Sequence, residues 1–178
     1  MTFYQGTNGR VALLLPGRMY TTDRPVLYFA GQVLLAQGWS VEEVWWKPED
    51  LISEEAVIKR VKEELDSVAS SSPLVVGKSL GSLALPMVAE RGWPAIWLTP
   101  LLDRPDLVAA LETITAKTLL VGGTADQVWD SKVAKASGVQ VLEMPGADHG
   151  LEIPGNPSAS VELLKELVDT MTVFIKSL

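Results

Sequence analysis

The chain has no cysteine, a single histidine among its 178 residues, and fewer basic than acidic side chains. Without cysteine it can form neither a disulfide nor a thiolate metal site, although this absence does not fix the cellular compartment. The formal net charge is -7, and the Lys and Arg residues are scattered rather than clustered. This charge pattern argues against nucleic acid as a partner, because a phosphate backbone requires a basic face.

Long hydrophobic runs are also missing. The apolar runs are far shorter than the roughly 20 residues needed to span a bilayer, so no membrane span is expected. Residues 1–6 lack the basic and apolar regions of a signal peptide. No repeat or linker-like stretch divides the chain. The sequence therefore predicts one domain over residues 1–178 and a cytoplasmic protein, while its oligomeric state cannot be read from these features.

Short apolar runs alternate with longer amphipathic segments. The runs are typical of buried strands and cover 11–17, 39–46, 73–77, 94–100, 117–123 and 139–144. Helices are predicted over 24–37, 54–69, 79–91, 106–114, 130–136 and 158–176. Strands that are each followed by a helix form a parallel sheet with helices on both faces. We therefore predict a three-layer α/β/α sandwich with a mostly parallel sheet of about six strands, and a site beyond their carboxyl ends.

The segment Gly77-Lys78-Ser79-Leu80-Gly81 follows the third predicted strand and has two interpretations. Gly77-Lys78-Ser79 is also how a phosphate-binding loop ends, but that loop needs a glycine at position 72 and a flexible turn, where this chain has Ser72 and strand residues. The Gly-x-Ser-x-Gly pattern instead presents a nucleophilic serine on a sharp strand-to-helix turn. Ser79 is therefore the predicted nucleophile, and an ordinary helix-capping serine is the alternative.

A serine nucleophile needs a base, and His149 is the one histidine in the chain. It follows the sixth predicted strand, although a surface-loop histidine would also fit that position. The base needs a carboxylate, for which Asp126 is preferred because it lies closer to the end of the fifth strand. Asp130 is the reserve and is better placed to cap the next helix, whereas Asp148 is expected to fix its own loop. Ser, Asp, His is the chain order of one hydrolase architecture.

Two backbone N–H groups are expected to form the oxyanion hole of such a site. The first belongs to Leu80, the residue after the nucleophile. The second is expected from the loop after the first strand, with Arg18 as the first choice and Met19 as the second.

These segments resemble the α/β-hydrolase superfamily, and the resemblance spans nearly the whole chain. It rests on the serine turn at 77–81, the acid loop at 123–126 and the base loop at 148–150. The chain is similar to small lidless bacterial members, close in size to minimal lipases and dienelactone-hydrolase-like esterases. The family usually has eight strands, so the first two are expected to be missing here. The short stretch 101–116 leaves no room for a lid, which implies an open site.

Residues that follow strand ends are expected to line the substrate pocket. Met19, Tyr20 and Trp129 are the predicted substrate-binding residues, although core packing explains each of them equally well. The side chain of Lys78 is expected to be solvated.

The sequence thus predicts a serine hydrolase that cleaves small carboxylic esters or thioesters through an acyl-enzyme on Ser79. The expected partner is a small-molecule substrate, and no metal or organic cofactor is needed. One alternative is a catalytically silent hydrolase fold that serves as a binding or scaffold protein. Another is a nucleotide-binding protein that uses residues 77–79. The sequence does not indicate which acyl or alcohol group is preferred, and esterase, thioesterase, peptidase and acyltransferase activities share the same set of catalytic residues.

Overall fold

The computed structural model describes residues 1–68, 70 and 72–178 of the chain. Within these residues, seven strands form one sheet in the order β1-β3-β2-β4-β5-β6-β7. They are β1 (Thr2–Tyr4), β2 (Val11–Leu15), β3 (Ser40–Glu43), β4 (Leu74–Lys78), β5 (Ala95–Leu98), β6 (Thr118–Gly123) and β7 (Gln140–Met144). Every neighbouring pair is parallel except β1 and β3. The predicted mostly parallel sheet is confirmed.

Strand β1 is the strand that the sequence analysis did not predict. It pairs antiparallel with β3, with Thr2 opposite Glu43 and Tyr4 opposite Val41. Its three residues are exposed or only partly buried, so it lacks the buried apolar run that marks β2, β4, β5 and β6. Over the described residues the sheet therefore has seven strands rather than about six. The expectation that two strands are missing before the one at Val11 is wrong, because β1 precedes it.

Six α-helices lie within the described residues, and most agree with the predicted segments. They are α1 (Pro25–Ala36), α2 (Glu54–Ser67), α3 (Leu85–Glu90), α4 (Pro105–Leu111), α5 (Ser131–Ala136) and α6 (Pro157–Lys176), joined by 3-10 helices at Pro48–Leu51 and Ser79–Ala84. Ala69, the predicted end of the second helix, lies outside the described residues. One helix differs from its predicted segment: in 79–91 the α-helix starts only at Leu85.

The helix starts follow from local sequence. Proline occupies a first-turn position in α1, α4 and α6, where its missing N–H costs nothing. The side chains of Ser53 and Asn156 accept hydrogen bonds from the Ala56 and Ala159 N–H groups at the starts of α2 and α6. These caps satisfy donors that have no partner inside the helix.

The two faces of the sheet are buried under different helices. In β2, Ala12 and Leu14 join a core cluster with α1 and α6, whereas Leu13 and Leu15 join a second cluster with α2, α3 and α4. All four side chains are fully buried. This alternation produces the predicted three layers, and it directs the loops after the parallel strands to one edge of the sheet. Of the helices in the described part of the chain, none is long and apolar enough to cross a membrane.

Candidate active site

The predicted nucleophile lies on a tight turn between β4 and a 3-10 helix. Ser79 has a φ of 50°, in the left-handed region that residues other than glycine rarely adopt. The turn requires glycine at both flanking positions, because a side chain there would collide with neighbouring atoms. A Cβ at Gly77 would lie 2.5 Å from the Trp97 ring, and one at Gly81 would overlap the carbonyl oxygen of Leu15. Such strain is characteristic of functional sites and holds the Ser79 side chain at the carboxyl edge of the sheet.

The helix after Ser79 differs from the prediction. Residues Ser79–Ala84 form a 3-10 helix, and only Leu85–Glu90 are α-helical. The physical reason is Pro86, which has no N–H to donate to the carbonyl oxygen of Ser82. That oxygen instead accepts a hydrogen bond from the Leu85 N–H, closing the tighter 3-10 turn.

Three side chains from three separate loops form one hydrogen-bonded row. The His149 Nε2 lies 2.7 Å from the Ser79 Oγ, and its Nδ1 lies 2.8 Å from the Asp126 Oδ2. The Asp126 side chain is only 2% exposed, whereas that of His149 is 43% exposed. The second oxygen of Asp126 accepts a hydrogen bond from the Val128 N–H. The arrangement leaves the histidine accessible and its orienting carboxylate buried and fixed.

The other two aspartates considered from sequence lie elsewhere. Asp130 caps α5, where its Oδ1 accepts hydrogen bonds from the N–H groups of Lys132 and Val133. Asp148 folds its own loop by accepting from the Gly150 and Glu152 N–H groups. Neither of these two carboxylates is the hydrogen-bond partner of the His149 ring, which is Asp126.

The acid loop is hydrogen-bonded directly to the two residues that precede the base loop. The Ala125 N–H donates to the carbonyl oxygen of Ala147 at 2.9 Å, and the Gly146 N–H donates to the Thr124 Oγ1 at 2.8 Å. Gly123 allows this approach, because a Cβ there would overlap the carbonyl of Ala147. These bonds set the distance between Asp126 and His149 before any substrate arrives.

The loop after β2 lies beside the serine, as the oxyanion prediction requires. A Cβ placed on Gly17 would be 3.5 Å from the Ser79 Cβ. The Gly17 N–H is already used, since it donates to the carbonyl oxygen of Tyr20 at 3.0 Å. The Arg18 side chain is exposed and donates to the carbonyl oxygen of Leu51. The Leu80 and Arg18 N–H groups stay the predicted oxyanion donors.

Solved structures with the same architecture identify the fold. A monoacylglycerol lipase from Paleococcus ferrophilus is 16% identical, covers 97% of this chain and 98% of its own, and has a TM-score of 0.71. A lidless α/β serine hydrolase from Xanthomonas campestris is 14% identical over 98% of this chain and 87% of its own, with a TM-score of 0.61. The protein has the α/β-hydrolase fold. No family model matches the chain, and no similar sequence was found among the curated proteins.

A third structure agrees with this assignment of the α/β-hydrolase fold. An α/β serine hydrolase homologue from Coxiella burnetii is 14% identical over 97% of this chain and 89% of its own, with a TM-score of 0.65. Sequence identities this low establish a shared fold and leave the activity to be argued from the site.

Within this α/β-hydrolase fold, the three predicted substrate-binding residues have different environments. Met19 is 88% exposed at the tip of the loop after β2. Tyr20 is partly buried, and its hydroxyl accepts a hydrogen bond from the Val26 N–H. Trp129 is buried in the core, with its ring packed on Gly122 and its Nε1 donating to the Glu143 carboxylate. The structure thus places Trp129 as a packing residue of the α/β-hydrolase core rather than at an accessible pocket wall.

Two concave regions adjoin the base loop. An open depression of about 380 Å³ is lined by Leu101, Ala125, Asp126, Gln127, Val128, Asp148 and His149. A smaller, mostly apolar cavity of about 130 Å³ is lined by Tyr20, Pro25, Val26, Gly150, Leu151, Glu152, Ser160, Val161 and Leu164. A larger depression of about 500 Å³ includes Thr118 and Gln140, at the amino ends of β6 and β7. It therefore lies at the opposite end of the strands from Ser79, where ligands of α/β sheets do not usually bind.

Lys78 is the site residue that sequence reasoning missed. It was expected to be solvated, but its side chain is 1% exposed and its ammonium group lies among the site loops. Burial lowers the pKa of Lys78 from its ordinary value of 10.5 to about 8, although the charges of Asp126 and Asp148 act in the opposite direction. The sequence carries no clear signal for this burial, because Lys78 directly follows the predicted strand 73–77 and a lysine at a strand end is usually solvated.

This shift predicts an unusual dependence of stability on pH. Between about pH 8 and 10.5 the unfolded chain keeps the Lys78 proton that the folded protein releases, so stability rises with pH in that window. We expect the free energy of unfolding to rise by about 2 kcal/mol from about pH 7 to about pH 9.5, relative to Lys78→Met. Denaturant unfolding of both proteins across this range measures the difference. Parallel curves for the two proteins would contradict the expected burial of a charged Lys78.

Proposed function

We propose that the protein is a serine hydrolase that cleaves small carboxylic esters or thioesters through an acyl-enzyme on Ser79. The observation that carries this proposal is the row in which His149 lies 2.7 Å from the Ser79 Oγ and 2.8 Å from the Asp126 carboxylate. A serine hydroxyl is a weak nucleophile on its own and is activated by a base that a third group orients.

In the proposed reaction, the Ser79 Oγ attacks the substrate carbonyl carbon while the His149 Nε2 takes the hydroxyl proton. Asp126 holds the Nδ1–H and stabilises the imidazolium that forms. The oxyanion of the tetrahedral intermediate accepts hydrogen bonds from the Leu80 and Arg18 N–H groups. His149 then passes its proton to the leaving alcohol or thiol, and the acyl group stays on Ser79. Water repeats the sequence with His149 as base and releases the acid.

The surroundings of the row support a small, accessible substrate. Only the short α4 segment separates β5 from β6, and the His149 side chain is 43% exposed. The depression beside His149 offers about 380 Å³ with Leu101 and Val128 as apolar walls. One neighbour of the same fold is named a monoacylglycerol lipase, which is consistent with an ester as substrate class.

The surroundings of Lys78 argue against the nucleotide-binding alternative. A phosphate-binding lysine must present its ammonium group to the ligand. The ammonium group of Lys78 donates instead to Thr99 and to the carbonyl oxygen of His149 within the protein. Residues Leu74–Lys78 form a strand, so no flexible loop precedes Ser79.

The proposal is tested by steady-state hydrolysis of p-nitrophenyl esters and thioesters that differ in acyl chain length. We expect turnover by the wild-type protein and loss of at least about 10³-fold in kcat for Ser79→Ala. Ser158→Ala is the matched control, because Ser158 is exposed in the first turn of α6. It should retain wild-type rates. No turnover of any substrate by the wild-type protein across about pH 6 to 9 would favour the scaffold alternative.

A further inference from the structure

Lys78 contacts three of the loops that form the candidate site. Its Nζ donates to the Thr99 Oγ1 and, at 2.6 Å, to the backbone carbonyl oxygen of His149. The same nitrogen lies 5.0 Å from the centre of the Tyr20 ring. An ammonium group has three N–H donors. Two are used by these oxygens, and the ring of Tyr20 faces the cation.

The three contacts come from loops that are distant in sequence. Tyr20 belongs to the loop after β2, which also carries the predicted oxyanion donor. Thr99 directly follows β5, and His149 belongs to the loop after β7. Lys78 ends β4, one residue before the predicted nucleophile. Its ammonium group is therefore a shared anchor at the edge where these loops meet.

We propose that Lys78 is a positioning residue of this site. Its ammonium group joins the loops after β2, β5 and β7 and so fixes the backbone of His149 relative to the Ser79 Oγ. The inference rests on the proposed function, because the geometry it maintains is that of the nucleophile and its base.

The energetic cost of burying the Lys78 ammonium group supports a role beyond packing. A buried cation is costly unless it is well paired, and an apolar side chain of similar size is often the more stable choice. In the part of the chain that the structure describes, no carboxylate lies within ion-pair distance of Lys78. Asp126 and Asp148 face it from the acid and base loops and favour its charged form only at longer range.

Thr99 supplies a second, independent observation. Its φ is 44°, a left-handed conformation that a β-branched residue rarely adopts. The side chain is fully buried, and its hydroxyl accepts from Lys78. Strain of this kind persists where the surrounding structure fixes it, commonly at functional sites. The strained residue and the buried cation thus support the same anchor.

The test compares kcat per active site, counted by titration with a fluorophosphonate, in variants of both partners. We expect Lys78→Met to lower kcat about 100-fold with KM within about threefold, since a small displacement of a catalytic group has a cost of this order. Thr99→Val should lower kcat about tenfold, whereas Thr99→Ser, which keeps the hydroxyl, should stay within about twofold. Lys59→Met is the control, because Lys59 is 78% exposed on α2.

A second readout keeps this inference separate from the proposed function. His149 is the only histidine, so the imidazole NMR signals of the protein belong to it alone. We expect the downfield Nδ1–H signal in the wild-type protein and in Thr99→Ser, and its loss or broadening in Lys78→Met and Thr99→Val. Unchanged kcat per site and unchanged His149 signals in folded Thr99→Val and Lys78→Met would overturn the inference. Absence of turnover in the wild-type protein overturns the proposed function, and the NMR signals still decide the role of Lys78.

Discussion

His149→Ala is expected to lower kcat/KM for ester hydrolysis by about 10⁴ to 10⁶-fold. The imidazole is the one base within hydrogen-bond distance of the Ser79 Oγ among the described residues. Without it, the hydroxyl proton has no acceptor during attack, and the leaving group has no proton donor. Initial rates with an ester that the wild-type protein turns over measure the loss, while circular dichroism checks that the variant is folded.

Two matched experiments isolate this role of His149. Diethylpyrocarbonate can modify one histidine in this chain, so it should inactivate the wild-type protein with single-site kinetics, and hydroxylamine should restore activity. Asp126→Asn keeps the shape of the acid but not its charge, and should lower kcat about 10⁴-fold. Asp130→Asn should keep wild-type rates, because Asp130 caps α5 and an asparagine also caps helices. Retention of activity by His149→Ala would contradict the proposed mechanism.

Gly81→Ala is expected to destabilise the protein by about 3 kcal/mol or to prevent its folding. A Cβ at position 81 would overlap the carbonyl oxygen of Leu15 in the neighbouring strand, where backbone rather than a flexible side chain is in the way. The added methyl group must displace either β2 or the turn that carries Ser79. Equilibrium unfolding in denaturant measures the change in the free energy of unfolding.

Gly31→Ala is the control for this substitution. Gly31 lies within α1, and a Cβ there would meet only the Leu14 Cδ2 at 3.6 Å, an ordinary contact distance. Alanine should therefore be neutral or stabilise the protein by up to about 1 kcal/mol through its helix propensity. If Gly81→Ala were as stable as Gly31→Ala, the close packing of the serine turn on β2 would be wrong.

The parts of the fold that follow from local sequence were predicted well. Strands β2, β4, β5 and β6 are buried throughout and were predicted from their apolar runs, and helix-stop glycines such as Gly38 and Gly92 have the expected positive φ. Strand β1 was missed because its three residues are exposed and carry no apolar pattern. The shortened α3 could have been predicted, since Pro86 is visible in the sequence and cannot continue the hydrogen-bond pattern of a helix.

The candidate site was likewise predictable only in part. Residue type and position after a strand end were enough to select Ser79, Asp126 and His149 as neighbours, because parallel strands bring their carboxyl ends to one edge. The environments of Lys78 and Trp129 depend on contacts between distant segments. Lys78 meets Thr99 and His149 across the sheet edge, and Trp129 packs on Gly122. A lysine is usually solvated and a tryptophan after a strand is ambiguous, so sequence pattern alone could not place them.

The most direct test of the central claim is labelling of the intact protein with a fluorophosphonate, followed by mass spectrometry of its peptides. We expect one adduct per chain, located on Ser79, with labelling abolished in Ser79→Ala and strongly slowed in His149→Ala. Failure of the folded wild-type protein to label, or an adduct on a different residue, would contradict the assignment of Ser79 as an activated nucleophile.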